Sequence, residues 1–199
     1  FNVSELGVDL LSLSAHKFYG PKGVGALYVR RAGYVKIASQ IHGGGHERGV
    51  RSGTLATHQC VGIGEAAELA AKLLNEDAQR IAQLRDTLWQ GIADLPNVKR
   101  NGSVDKIACG HLNVSFANAE GEGCDGETLL LSLRDLAVSS GSACNSASLS
   151  PSYVLRAIGL NEVQAEASLR FSIGRYTTLA EIEFAIEHIR SVVARLTTV

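Results

Sequence analysis

Residues 8–30 read VDLLSLSAHKFYGPKGVGALYVR. In 8–15 the side chains alternate: Leu11, Leu13 and Ala15 fall on one face, Ser12, Ser14 and His16 on the other. That period of two predicts a strand with one polar face. The next eight residues hold Gly20, Pro21 and Gly23 and predict a turn, and 24–30 predict a second strand. Beyond it, 41–54 (IHGGGHERGVRSGT) form a glycine-rich loop. The period then changes. From about 60 to 95 the stripes Ala66, Leu69, Ala70, Leu73, Leu74 and Ile81, Leu84, Leu88, Ile92 fit a helix. Strands followed by a helical pattern predict a mixed α/β fold.

The remainder continues the mixture. HLNVSF (111–116) alternates as a strand, and 127–136 predict a short helix. SSGSACNSASLS (139–150) is too small and polar to pack a core and predicts a loop. Ser150 followed by Pro151 predicts a helix start. In SLRFSI (168–173), Leu169, Phe171 and Ile173 face inward and Arg170 faces the other way. The last helix opens on a capping box, Thr178 to Glu181. Its stripe is Ile182, Ala185, Ile186, Ile189, Val192, Val193 and Leu196. Residues 1–71 are expected to belong to a larger sheet domain, and 72–199 to form a compact α+β unit. No 20–50-residue repeat and no low-complexity linker interrupts the chain.

Composition narrows the function classes. The 199 residues are 45% hydrophobic and 20% charged with net charge −1, which suits a globular core rather than disorder. Near-neutral charge argues against nucleic acid and anionic membrane as partners. No apolar run approaches the roughly 20 residues of a bilayer span, and no secretory signal is legible. Four sparse cysteines make no disulfide scaffold and fit a reducing, cytoplasm-like compartment. There is no methionine and the first residue is Phe1, so a processed chain or fragment is expected.

Four features bear on chemistry. Lys17 ends a strand beside Ser14 and His16, a setting for a Schiff-base amine; the competing reading is a solvated loop charge. Cys144, among small polar neighbours, suits a nucleophile carried on a loop; the competing reading is an incidental thiol. Cys60 and Cys109 are expected in the core and Cys124 in a loop. Arg170 can clamp a carboxylate through its fork, or pair at the surface. The glycine loop with Thr54 can offer N–H groups and a hydroxyl to an anion, or be a tight surface turn. Cys109, His111 and Cys124 match no zinc spacing, so no metal is expected.

Four stretches together resemble one family: SLSAHKFYGPKGVGALYVRR, GGGHERGVRSGT, SSGSACNSASLSPSYVLRAIGL and SLRFSIGRYT. They are similar to the group I cysteine desulfurases, the NifS/IscS-like branch of the class V aminotransferases. Those are pyridoxal 5'-phosphate enzymes of fold type I. The likeness implies the C-terminal half of such an enzyme: the end of its large mixed-sheet domain plus the smaller α+β domain. The N-terminal half and the usual C-terminal tail have no counterpart here.

Residue by residue, the resemblance implies that Lys17 carries the cofactor as a Schiff base. Ser14 and His16 correspond to residues around the cofactor phosphate. Thr54 corresponds to a threonine reaching the phosphate in the neighbouring subunit. Cys144 corresponds to the persulfide-forming cysteine, and Arg170 to the arginine that binds the substrate carboxylate. The implied activity is removal of sulfur from L-cysteine, giving L-alanine and an enzyme persulfide. Implied with it are a homodimer, a sulfur-acceptor protein such as an iron–sulfur scaffold, and a cytoplasmic setting. The present half alone is expected to be inactive. A selenocysteine lyase-like enzyme, a non-catalytic dimerisation or scaffold fragment, and a carrier accepting sulfur on Cys144 stay open.

Overall fold

The computed structural model describes residues 2–31, 35–140 and 152–197. The chain divides into two compact units, Phe1–Leu74 and Asn75–Val199. One helix, α2 (Thr57–Ile92), begins in the first and ends in the second.

The first unit opens with a single helical turn, α1 (Val3–Leu6), capped by Asn2. Strands β1 (Leu10–Ser14) and β2 (Gly25–Val29) pair antiparallel, from Leu10 opposite Val29 to Ser14 opposite Gly25. Between them, Ala15–Phe18 wind into a 3₁₀ turn that ends on Tyr19 in the left-handed region. The alternation of 8–16 therefore stops at Ser14, before His16. The cause is a close backbone approach at Ala15. Ala15 is fully buried, donates to the Val24 carbonyl (3.1 Å), and accepts from Gly20 N–H (2.9 Å). A Cβ on Gly20 would stand 2.9 Å from that of Ala15, so only glycine fits the return.

The predicted apolar face of β1 is only partly realised. Leu11 is half-buried and Leu13 is 38% exposed, while Ala15, just past the strand, is fully buried. A two-stranded ribbon supplies no second layer to bury that face. Helix α2 touches this unit through Gln59, which donates to the Lys22 carbonyl (3.0 Å), and through Gly62 beside Pro21. Of its first stripe only Ala66 is buried; Leu69 and Leu74 are exposed.

The second unit holds a four-stranded antiparallel sheet in the order β3–β4–β6–β5. The strands are β3 (Lys99–Arg100), β4 (His111–Ser115), β5 (Ser139–Ser140) and β6 (Ser168–Ser172). Its helices are α3 (Gly126–Ser132), α4 (Tyr153–Ala157), α5 (Glu162–Glu166) and α6 (Leu179–Thr197). Alternation on β4 and β6 puts Leu112, Val114, Leu169 and Phe171 on one face. Against them pack Leu84, Leu88 and Ile92 of α2, Leu129 of α3, and Ile182, Ile189, Val192 and Val193 of α6. Each such side chain contributes about 1.5–3 kcal/mol by leaving water. Phe116 meets Phe171 edge-on, centroids 6.5 Å apart. Here the second stripe of α2 is buried as its period predicts, and so is that of α6 except for Ile186 and Leu196, which are partly buried against the core.

Several sequence expectations are corrected. Ser139 and Ser140 are not loop: they form β5, an edge strand on β6. Backbone pairing needs no apolar side chain, so composition hid it. Helix α4 is capped by Ser152, beyond the expected Ser150–Pro151 start. The cysteines are exchanged: Cys60 is exposed and Cys109 half-exposed, whereas Cys124 is buried in the core. Burial, with the charge of Asp125 beside it, pushes the Cys124 thiol pKa up, so it stays protonated and inert.

Candidate functional site

Ser14, His16 and Lys17 come together because they are near neighbours on one tight turn. Ser14 closes β1 and stands at the N-cap of the 3₁₀ turn, yet its hydroxyl makes no capping bond. His16 and Lys17 occupy the turn itself, and all three are exposed. The Lys17 amine has no hydrogen bond or ion pair among the described residues. The turn thus offers an amine, an imidazole and a hydroxyl with no competing partner among the described residues.

Thr54 lies at the end of the glycine loop and is exposed. It makes no hydrogen bond to Ser14, His16 or Lys17. The loop is closed upon itself. Ile41 bridges Arg51, and Ser52 N–H donates to the Ile41 carbonyl (3.1 Å). Gly45 N–H donates to Ser52 Oγ (3.2 Å), and Gly53 N–H to His46 Nδ1 (3.2 Å). The Gly45 and Gly53 N–H groups are therefore engaged within the loop. Glu47 and Arg48 both hold positive φ, 49° and 60°, a conformation that costs a side-chain-bearing residue energy.

Arg170 belongs to the second unit. It sits mid-strand on β6, on the face opposite Leu169 and Phe171, half-buried. The sheet register places Asn113 of β4 on one side of it and Ser139 of β5 on the other. Its Nη2 approaches Ser139 Oγ at 3.5 Å, and its Nε is buried with no partner among the described residues. No carboxylate lies within ion-pair distance among the described residues. Nearby, buried Asn101 donates to Asn113 Oδ1 (2.7 Å) and to Ser168 Oγ (3.0 Å), and Ser168 donates to the Gln164 carbonyl (2.6 Å). Sequence reading missed Asn101, Asn113 and Ser139. Asn113 lies on the face of β4 opposite Leu112 and Val114, but its neighbours there come from other strands.

Cys144 lies outside the described residues. Cys109, His111 and Cys124 do not assemble, and no three His, Cys, Asp or Glu side chains form a metal-binding group among the described residues. A groove of about 640 Å³ between α3 and α6, lined by residues such as Arg134, His188 and Arg195, contains none of the predicted site residues. No described helix is long and apolar enough to cross a membrane.

Comparison with known proteins sets these residues in context. The chain is 58% identical over 195 residues to "Cysteine desulfurase IscS" of Aeromonas hydrophila subsp. hydrophila, covering 98% of this chain and 47% of that protein. It is 60% identical over 188 residues to the protein of the same name from Shewanella woodyi, covering 94% and 45%. The chain thus spans about half the length of these curated relatives. Among solved structures, a NifS-like protein matches with TM-score 0.84 and 35% identity, over 98% of this chain and 49% of that one. A NifS-like protein from Rickettsia africae matches with TM-score 0.81 and 28% identity, over 96% and 49%. The fold is therefore the α/β half shared with these NifS-like proteins. The family model described as aminotransferase class-V matches residues 1–184, and this chain belongs to that family.

Proposed function

We propose that this chain is the C-terminal half of a pyridoxal phosphate-dependent cysteine desulfurase, which takes sulfur from L-cysteine and releases L-alanine. One observation carries the reading: the unpartnered Lys17 amine stands on a tight turn beside uncommitted Ser14 and His16, in a chain close in sequence to two proteins named cysteine desulfurase.

The residues present fit the cofactor. Ser14 and His16 offer a hydroxyl and an imidazole to its phosphate, and Lys17 offers a primary amine to its aldehyde. Thr54 serves the same phosphate across a homodimer interface, so each site draws on both protomers. When bound, pyridoxal phosphate supplies an electron sink that makes the Cα proton of an amino acid labile. Lys17 would accept that proton from Cα and carry it onward. Arg170 orients the substrate by its carboxylate. The Cys144 thiolate bonds to the substrate sulfur as the carbon–sulfur bond breaks. The three-carbon skeleton takes up protons and leaves as alanine, and sulfur stays on Cys144 as a persulfide. A sulfur-acceptor protein, an iron–sulfur scaffold among the candidates, then removes it. The rest of the cofactor cradle comes from the N-terminal half, and the enzyme works in the cytoplasm.

The test is turnover by the full-length protein. With pyridoxal phosphate, L-cysteine and a thiol reductant, alanine and sulfide should appear in equal amounts. Turnover of L-selenocysteine alone would replace the reading with a selenocysteine lyase. A colourless protein that neither binds the cofactor nor releases alanine would be a scaffold.

A further inference from the structure

We propose that Ser139 is a positioning residue for Arg170, and through it for the carboxylate of the amino-acid substrate. The inference rests on the reading of Arg170 as the carboxylate-binding group. Its ground is the row that sheet register makes across three strands, Asn113, Arg170 and Ser139. A guanidinium carries five donors and no acceptor, so its orientation depends on what accepts from it. On one side Asn113 Oδ1 already accepts from Asn101 at 2.7 Å. On the other, Ser139 Oγ is the acceptor facing Arg170 Nη2, at 3.5 Å. No carboxylate neutralises the guanidinium among the described residues, and its Nε is buried and unpartnered. A charged group held so stands ready for an anion. Ser139 is suited to steer it, because a hydroxyl that accepts from Nη2 still has its own proton to donate to the same anion. The backbone of β5 fixes where that hydroxyl sits, since Ser139 pairs with Arg170 itself.

Ser139→Thr and Ser139→Val separate the hydroxyl from the strand. The two side chains have nearly the same shape and both favour β structure, so they differ in the hydroxyl alone. In the full-length holoenzyme, Ser139→Val should raise KM for L-cysteine about three- to tenfold, the worth of one hydrogen bond, with KM moving more than kcat. Ser139→Thr should return KM to within about twofold of the parent. Cysteamine, which lacks the carboxylate, should bind the Val, Thr and parent enzymes alike. Arg170→Ala runs beside them. If Arg170→Ala raises KM for L-cysteine and Ser139→Val does not, Ser139 has no positioning role and the reading of Arg170 stands. If Arg170→Ala leaves KM unchanged, that reading fails and this proposal falls with it. Equal weakening of L-cysteine and cysteamine by Ser139→Val, or failure of the Thr variant to restore KM, would also overturn it.

Discussion

Asn101 donates its side-chain amide to Asn113 Oδ1 across 2.7 Å, joining the end of β3 to the middle of β4 on the face that carries Arg170. Asn101 is 6% exposed, and the same nitrogen donates to Ser168 Oγ. Removing one member of a buried polar network leaves its partners without bonds, which costs more than the bond itself contributes. Asn101→Ala should therefore lower unfolding stability by about 1–3 kcal/mol. Urea titration of the full-length protein checks this; a midpoint equal to the parent's would show that water replaces the lost amide.

A second prediction concerns Gly110, where the chain enters β4. Its carbonyl accepts from Ile173 N–H (2.8 Å). A Cβ at this position would overlap the Ile173 carbonyl oxygen and touch Ile81. Gly110→Ala should force β4 and the end of β6 apart and cost about 1–3 kcal/mol, the range for overpacking. Thermal unfolding measures it, and an unchanged melting temperature would deny the close approach.

How these features emerge from sequence differs by element. The β1–turn–β2 ribbon was legible because alternation and Gly20–Pro21 act locally. Helix α6 was legible from its stripe and its Thr178–Glu181 box, whose two bonds form: Glu181 accepts from Thr178 N–H, and Thr178 Oγ1 from Glu181 N–H. Strands β3 and β5 were not, since two residues give no period and their pairing is set by partners far along the chain. Helix α5 went unread although Asn161 and Gln164 form a capping box. The cysteines were misplaced because apolar sequence neighbours do not decide burial; Cys124, in a polar stretch, is carried inward by the bridge of Ala117 with Gly123. Ser14, His16 and Lys17 were readable as a group because they are contiguous. The row Asn113–Arg170–Ser139 was not, because strand register alone makes it.

A third prediction follows from Asp125, the N-cap of α3. The Thr128 backbone N–H donates to its carboxylate (2.8 Å) and holds its pKa below the usual carboxylate value. A depressed folded pKa means stability that is present above the unfolded value, about 3.9, and lost as pH falls through the folded one. Asp125→Asn keeps a capping oxygen but cannot titrate. Its urea midpoint should therefore fall less than the parent's between neutral pH and the acid limb below pH ~4. Parallel acid profiles for the two proteins would remove Asp125 from the linkage.

A fourth concerns Lys17, the amine proposed to hold the cofactor. Borohydride reduction of the full-length holoenzyme should fix the pyridoxyl group on the peptide containing Lys17. Lys17→Ala should abolish both the adduct and exchange of the substrate Cα proton with solvent. Peptide mapping reads the first and loss of deuterium from labelled substrate the second. An adduct on Lys22 would reassign the site within the same turn.

If sulfur passes from L-cysteine to Cys144, the sulfur atom itself can be followed there. The full-length holoenzyme is given L-cysteine carrying radioactive sulfur, without reductant, and its peptides are separated. Label should mark the peptide containing Cys144 and be released by thiol. In Cys144→Ser it should be absent, while bound cofactor and Cα proton exchange persist, because Lys17 is untouched and a hydroxyl is a poor nucleophile toward sulfur. Label appearing at the parent rate on Cys60, Cys109 or Cys124 of the Cys144→Ser protein would show that Cys144 is not the sulfur-accepting thiol.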